Sequence, residues 1–236
     1  MSGHIVKDEI KDVFSEFFRF HGVTDNSFDR IMAVSILRSV KKGVHVFFQD
    51  DPIRNLYFMY SGQIKIYKTD ISGKEQILNF MTDGDVFPLE SFYQEIGYPS
   101  SAQVTEDAIL MVVPISKLQN ILKENNPFFY NIYEHLGKKI IELQDTLDDQ
   151  ILYNAHKHKQ IIKLLIRLGK RHGEIIQDEW IKLGIQLTNK ELAEMIGVTR
   201  ETVSRTLSKF ARDGIVKKSF EGNLIFHPKA LLRELD

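Results

Sequence analysis

Residues 187–216 read LTNKELAEMIGVTRETVSRTLSKFARDGIV, and their local chemistry specifies two helices joined by a tight turn. Thr188 followed by Glu191 is a capping box: each side chain can satisfy a backbone donor left open at the helix start. The helix it opens buries Leu192, Ala193 and Ile196. Gly197 supplies the backbone freedom for a turn, and Thr199 caps a second helix. In that second helix Val203, Leu207 and Phe210 recur at i, i+4 and i+7 and face a core. At about 100° per residue, Arg200, Glu201, Ser204, Arg205 and Ser208 then form a stripe on the opposite side.

Those are the side-chain types that read base edges in a major groove. Arginine donates a bidentate pair to guanine, glutamate accepts from cytosine N4, and short hydroxyls reach bases or phosphate. A helix-turn-helix follows, with Arg200, Glu201, Ser204 and Arg205 as base readers and Thr188, Thr199 and Thr202 as further DNA contacts. An αα-hairpin with a solvated charged face uses similar residues, so charge decides. From Ala155 to Asp236 there are 16 Lys and Arg against 10 Asp and Glu, a balance of +6, whereas residues 1–154 carry −7. A basic third attached to an acidic remainder suits a polyanion partner, duplex DNA.

Moving outward, Ile215 to Lys218 and Leu224 to His227 flank the turn residues Ser219 to Asn223 and read as a β-hairpin wing. Upstream, Gln160 to Arg171 is an amphipathic helix that Gly173 stops. Before it lies a longer helical pattern from Phe128 to about Tyr153. There Phe129, Tyr133, Leu136, Ile140, Leu143 and Leu147 are spaced 4, 3, 4, 3 and 4, the a/d period of a coiled-coil seam, which predicts a homodimer. Packing of the stripe on its own β-domain is the alternative.

Between Val34 and Pro114 the character is β: Ser35–Val40, Val44–Phe48, Leu56–Tyr60, Gln63–Thr69, Gln76–Met81, Ala102–Thr105 and Ala108–Val113 are short β-branched or aromatic runs. Glycines punctuate them, and Asp70 to Gly73 is a hairpin turn. Seven or more strands at this spacing predict a β-roll. Apolar residues at 5–33 predict one or two short helices, and Ile115–Lys123 another. The chain is therefore α+β, with residues 1–124 forming N-terminal helices and a β-roll, 125–154 a dimerisation helix and 155–236 a winged helix-turn-helix.

There is no cysteine, which removes disulfides, thiolate metal sites, cysteine-ligated clusters and cysteine nucleophiles. The eight histidines are scattered, and His45 alone lies between Val23 and Glu134, so a β-roll metalloenzyme lacks its ligand set. No enzyme activity, metal or cofactor is expected. The longest apolar run, Ile109 to Val113, is far short of a membrane span of about 18 residues, and no signal-peptide core precedes it. That leads to a cytoplasmic protein with no membrane partner.

Thr199-Arg-Glu-Thr-Val-Ser-Arg205, the β-roll glycines and Gly84-Asp85 resemble the Crp/Fnr family of bacterial transcription regulators. The resemblance runs from about Asn26 to the end. It implies a cyclic-nucleotide-binding-type β-roll, a dimerisation helix, a winged helix-turn-helix, and RNA polymerase as a partner. Glu201 and Arg205 match the family's two central base-reading positions. Arg200 matches an additional arginine of the cyclic-AMP-responsive branch, and Ser204 a serine of the oxygen-sensing branch. The implied target is palindromic, with half-sites about one helical turn apart that hold TGA or, given Arg200, TGTGA.

Two signals of the family are disfavoured in this sequence. The oxygen-sensing branch needs cluster cysteines. The cyclic-AMP branch needs a phosphate-binding arginine, yet residues 75–116 hold no Lys or Arg and seven acids, and Tyr98-Pro-Ser-Ser-Ala102 stands where the arginine is expected. The effector is thus unknown, or DNA binding is constitutive. Leu78, Phe80, Phe87, Leu89 and Phe92 either line a cavity or form the roll's core. A different reading is a dimeric small-molecule sensor that acts on a protein partner, its DNA-binding domain degenerate.

Overall fold

The longest strand, β3 (Asn55–Thr69), carries apolar side chains on both faces, as a strand covered on both sides must. The computed structural model describes residues 22–89, 97–124 and 156–235, together with Phe14 and positions 137, 140, 141, 144 and 147. The chain forms two compact units, Met1–Ile140 and Ile141–Asp236.

In the first unit, α1 (Asp25–Val34), capped by Thr24, leads into β1 (Ile36–Val40) and β2 (His45–Phe47). After β3 come β4 (Glu75–Met81), β5 (Val86–Phe87), β6 (Ser101–Pro114) and α2 (Ile115–Leu122). The described strands form an antiparallel roll in the order β1-β6-β3-β4, with β2 on β6 and β5 on β3. Alternation along β3 sorts its side chains between two cores. Leu56 and Phe58 join Phe14, Phe28, Ile31, Met111, Val113, Leu118 and Leu122 on the helical side. Tyr57 and Met59 face inward with Phe47, Phe87, Tyr98, Val104 and Leu110.

Four of the expected strands merge into two. Leu56–Tyr60 and Gln63–Thr69 are one strand, and so are Ala102–Thr105 and Ala108–Val113, because the separating residues form bulges and not turns. Gly62 is the reason. It adopts φ +99°, and a Cβ there would lie 2.7 Å from Ala108 Cα and closer still to the Asp107 carbonyl oxygen. The two-residue β5 and, later in the chain, the paired strands Gly173–Ile175 and Ile181–Leu183 were not expected. Each is two or three residues long, too short to carry a period. The Asp70 turn forms as read, with Asp70 Oδ1 accepting from the Ser72 and Lys74 amides at 2.8 and 3.0 Å.

The second unit starts with α3 (Lys157–His172), which buries Ile161, Ile162, Leu164, Leu165 and Leu168. Then follow β7 (Gly173–Ile175), β8 (Ile181–Leu183), α4 (Asn189–Ile196), α5 (Arg200–Arg212), β9 (Val216–Lys218), β10 (Leu224–Phe226) and α6 (Pro228–Arg233). The sheet order is β7-β8-β10-β9, so the expected wing is half of a four-stranded sheet. No helix among the described residues is long and apolar enough to cross a membrane.

Gly62→Ala is expected to destabilise the first unit by about 2 kcal/mol or more, since it adds both a positive-φ penalty and a clash with backbone. Thermal denaturation of the variant against wild type measures it; an unchanged midpoint contradicts the bulge.

Candidate nucleic-acid interface

Helix α4 begins with the full capping box: Glu191 N donates to Thr188 Oγ1 at 3.1 Å and Thr188 N to Glu191 Oε2 at 2.8 Å. It buries Leu192, Ala193 and Met195, while the expected Ile196, on the same face in the last turn, is half-buried. Gly197 closes it in the left-handed region at φ +68°, and the Val198 amide reaches back to the Ala193 carbonyl at 3.1 Å. The chain then turns within two residues into α5.

Thr199 caps α5, its Oγ1 accepting from Thr202 N at 3.2 Å and lying 2.9 Å from Thr202 Oγ1. Both hydroxyls are thereby engaged at the helix start. Val203, Leu207 and Phe210 are buried, and this anchors the helix by one side. The opposite side presents Arg200, Glu201, Arg205 and Ser208, all exposed, with Ser204 half-buried beside them. Glu201 and Arg205 form an i, i+4 ion pair. At this exposure such a pair adds little to stability. Its consequence is orientation, because the guanidinium is restrained beside Glu201 one turn earlier on the same helix.

Of the expected seam, Ile140 and Leu147 are helical and 57% and 56% exposed, as is the neighbouring Ile141. Phe129, Tyr133, Leu136 and Leu143 lie outside the described residues.

The roll interior is aromatic. Phe47 stacks on Tyr98 with ring centroids 3.9 Å apart, and Tyr57 on Phe87 at 5.5 Å. Tyr98 Oη accepts from the Asn55 amide and donates to the Asn55 carbonyl, both at 3.1 Å. Burial, then the neighbouring Tyr98, pushes the Tyr57 phenol far above its ordinary range. Ser100 and Ser101 are buried, and Ser101 Oγ accepts from Gln49 N at 2.9 Å. Asp83 lies outside that interior, exposed in the turn between β4 and β5, where partial desolvation raises its carboxyl against the lowering effect of the Gly62 amide. Phe80 and Phe87 are core, whereas Leu78 faces solvent and lines nothing; Phe92 is outside the described residues. Among the described residues, the segment Tyr98 to Ala102 offers buried hydroxyls and a phenol already bonded to backbone.

The sequence reading placed the wing but gave its side chains no role. Lys217 Nζ lies 4.4 Å over the Trp180 ring, and Lys218 and Phe220 are exposed. The adjacent lysines in a hairpin flank were the available signal.

A β-roll sensor-type domain followed by a capped helix-turn-helix and a β-wing defines a DNA-binding regulator with a separate N-terminal domain. Two family models match the chain, a cyclic nucleotide-binding domain over residues 37–125 and a Crp-like helix-turn-helix domain over 159–235. The chain belongs to the Crp/Fnr family of transcription regulators. It is 26% identical over 212 residues to the anaerobic regulatory protein of Bacillus subtilis, covering 89% of this chain and 88% of that one. It is 26% identical over 216 residues to the cyclic AMP receptor protein of Thermus thermophilus, covering 92% and 95%. The c-di-GMP responsive global regulator CLP of Xanthomonas campestris shares the fold with a TM-score of 0.69 at 20% identity, over 86% of this chain and 99% of that one.

Proposed function

We propose that the protein regulates transcription as a homodimer bound to a palindromic site with TGTGA-like half-sites. The observation that carries this reading is the α5 stripe, with Arg200, Glu201, Ser204 and Arg205 set opposite the buried Val203, Leu207 and Phe210. Arg205 and Arg200 each offer guanine a bidentate donor pair, and Glu201 accepts from cytosine N4. Thr188, Thr199 and Thr202 sit at the two helix starts, where backbone donors and hydroxyls suit phosphate. Residues 1–124 serve as the sensor domain, 125–154 as the dimerisation helix and 155–236 as the DNA-binding domain. RNA polymerase is the protein partner, and the cytoplasm is the site of action, since the ligand is duplex DNA.

Arg205→Ala is expected to cost about 1–3 kcal/mol on a palindromic duplex and to relax selection at one base pair. Fluorescence anisotropy on that duplex and on a random duplex checks it. An equal loss on both overturns base reading.

Apolar exposure at Ile140, Ile141 and Leu147 in the single chain supports a second copy covering that helix. Ile140→Asp with Leu147→Asp places like charges opposite their own copies in an apolar seam, costing several kcal/mol. Sedimentation is expected to show a monomer at low micromolar concentration. Retention of the dimer excludes the seam.

The signal is one other than cyclic AMP, or binding is constitutive. The aromatic interior and the uncharged Tyr98 to Ala102 segment support this reading. Calorimetry with millimolar cyclic AMP is expected to show no saturable heat. Micromolar binding coupled to tighter DNA binding overturns it, because an effector acts only through differential affinity for two states.

A further inference from the structure

Tyr98 is 3% exposed and lies in the inner core of the roll, its ring on that of Phe47 with centroids 3.9 Å apart and planes 16° from parallel. Its hydroxyl is engaged with the start of β3: it accepts from the Arg54 and Asn55 amides at 3.3 and 3.1 Å and donates to the Asn55 carbonyl at 3.1 Å. The backbone is stitched to the turn that precedes β3. Asp50 N donates to Tyr98 O at 2.8 Å, and Tyr98 N to Asp51 O at 2.9 Å. Two residues are shaped for this approach. At Gly97 a Cβ would lie 2.6 Å from the Asp50 carbonyl oxygen, and Asp50 is held in the left-handed region at φ +67°. A non-glycine residue keeps that conformation only where its surroundings dictate it.

Core packing by itself asks that a tyrosine ring be buried and its hydroxyl find a partner. Here the phenol and the backbone of Tyr98 are both bonded to one turn, so the residue is docked as a bound ligand would be. Its place in the chain gives this a meaning. Tyr98 opens the segment to Ala102 in which the family resemblance expects an arginine for the effector's phosphate. Ser101, a further hydroxyl of the segment, is bonded to the same turn, accepting from Gln49 N at 2.9 Å. A ring tethered by its own chain competes with free ligands from a high effective concentration. An occupant shifts a two-state regulator only through its differential affinity for the two states. One that stays in the folded roll is compatible with a working regulator only if the occupied state is the one that binds DNA.

We propose that Tyr98 is a built-in occupant of the roll, whose side chain takes the place of a small-molecule effector and holds the protein in its DNA-competent state. This rests on the reading of the chain as a DNA-binding regulator, and between a foreign signal and constitutive binding it selects the second. Tyr98 is a positioning residue, acting on α5 through the state of the roll.

The test uses the full chain with a palindromic TGTGA duplex and a random-sequence duplex, no ligand being added. Wild type, Tyr98→Phe, Tyr98→Leu and Tyr98→Ala are compared by anisotropy and by thermal denaturation, then again with millimolar phenol or benzene. Tyr98→Phe keeps the ring and is expected to bind within about threefold of wild type. Tyr98→Ala is expected to bind both duplexes about tenfold more weakly, the loss that follows when about a tenth of the molecules stay competent. Phenol, the group that the substitution removes, is expected to enter the space left and to restore both DNA affinity and the melting midpoint. Benzene restores less, because the Asn55 amide and carbonyl remain without the hydroxyl. Wild type responds to neither compound. If Tyr98→Ala does not fold, Tyr98→Leu carries the same comparison, since it keeps apolar volume and loses the ring.

Wild-type DNA affinity for Tyr98→Leu and Tyr98→Ala overturns the proposal and leaves the α5 reading intact. Phenol that raises the melting midpoint without restoring DNA affinity also overturns it, and makes Tyr98 core filling alone. If wild type does not distinguish the duplexes but Tyr98→Ala weakens both and phenol restores them, the built-in occupant stands and the half-site reading fails. Failure of ligand-free wild type to bind either duplex overturns constitutive binding, and with it the role of Tyr98.

Discussion

The antiparallel pairing of β3 with β6 is the constraint around which the first unit is organised. It runs from Asn55 opposite Pro114 to Tyr67 opposite Ser101, with shifts clustered at Ser61 to Ile64. Because side chains alternate across a strand, one ladder serves two cores at once, a helical one and an aromatic one. The bulge at Gly62 bends the ladder so that both halves stay paired. Without it, strands of 15 and 14 residues would continue as a flat ribbon and leave the roll open. The aromatic interior depends on that curvature, since Phe47, Tyr57, Phe87 and Tyr98 meet only if β2, β3 and β5 converge.

The second unit solves a different problem, that of holding a polar helix face outward at fixed orientation. Three buried side chains of α5, the Thr199 cap and the Phe210–Ile215 hydrogen bond fix the helix at its start, side and end. The wing is fixed by polar means, through the buried Asn223 amide on Leu183 O. A buried amide with its donors satisfied costs little and specifies one geometry. The α5 stripe is exposed because the opposite side of the helix is committed to the core, and rigidity of that kind suits the proposed selection of base pairs by a small set of side chains.

How far the sequence exposes this architecture depends on the range over which each signal acts. The α4 and α5 boundaries were legible because a capping box and a glycine turn are local and residue-specific. So were α2, the Asp70 hairpin and the two wing strands. Glu106-Asp107 and Gly62 were read as breaks because a bulge and a turn share residue preferences. Only the partner strand, which brings Asp107 and Ala108 against Gly62, distinguishes the two. The face of α4 was read without Met195, which is buried beside the half-buried Ile196 at the helix end, where periodicity is weakest. Exposure of Phe220 was not legible, since a phenylalanine between two strands is as readily core. What holds it outward, Asn223 on Leu183, acts across 40 residues.

The near-neutral total of −1 conceals the electrostatics that matter for a DNA partner. With a Debye length of about 8 Å at physiological ionic strength, a duplex senses charge within roughly that distance and little of the rest. Residues 155–236 hold an excess of six cations, so attraction at the DNA-binding surface follows the local balance and not the sum. On the proposed reading sequence selection is then left to the α5 stripe of Arg200, Glu201, Ser204 and Arg205, in which the ion-paired Glu201 and Arg205 add almost nothing to that field because their charges cancel. Most of the attraction would then come from lysines and arginines that read no base, so that salt would weaken binding more than it weakens selection.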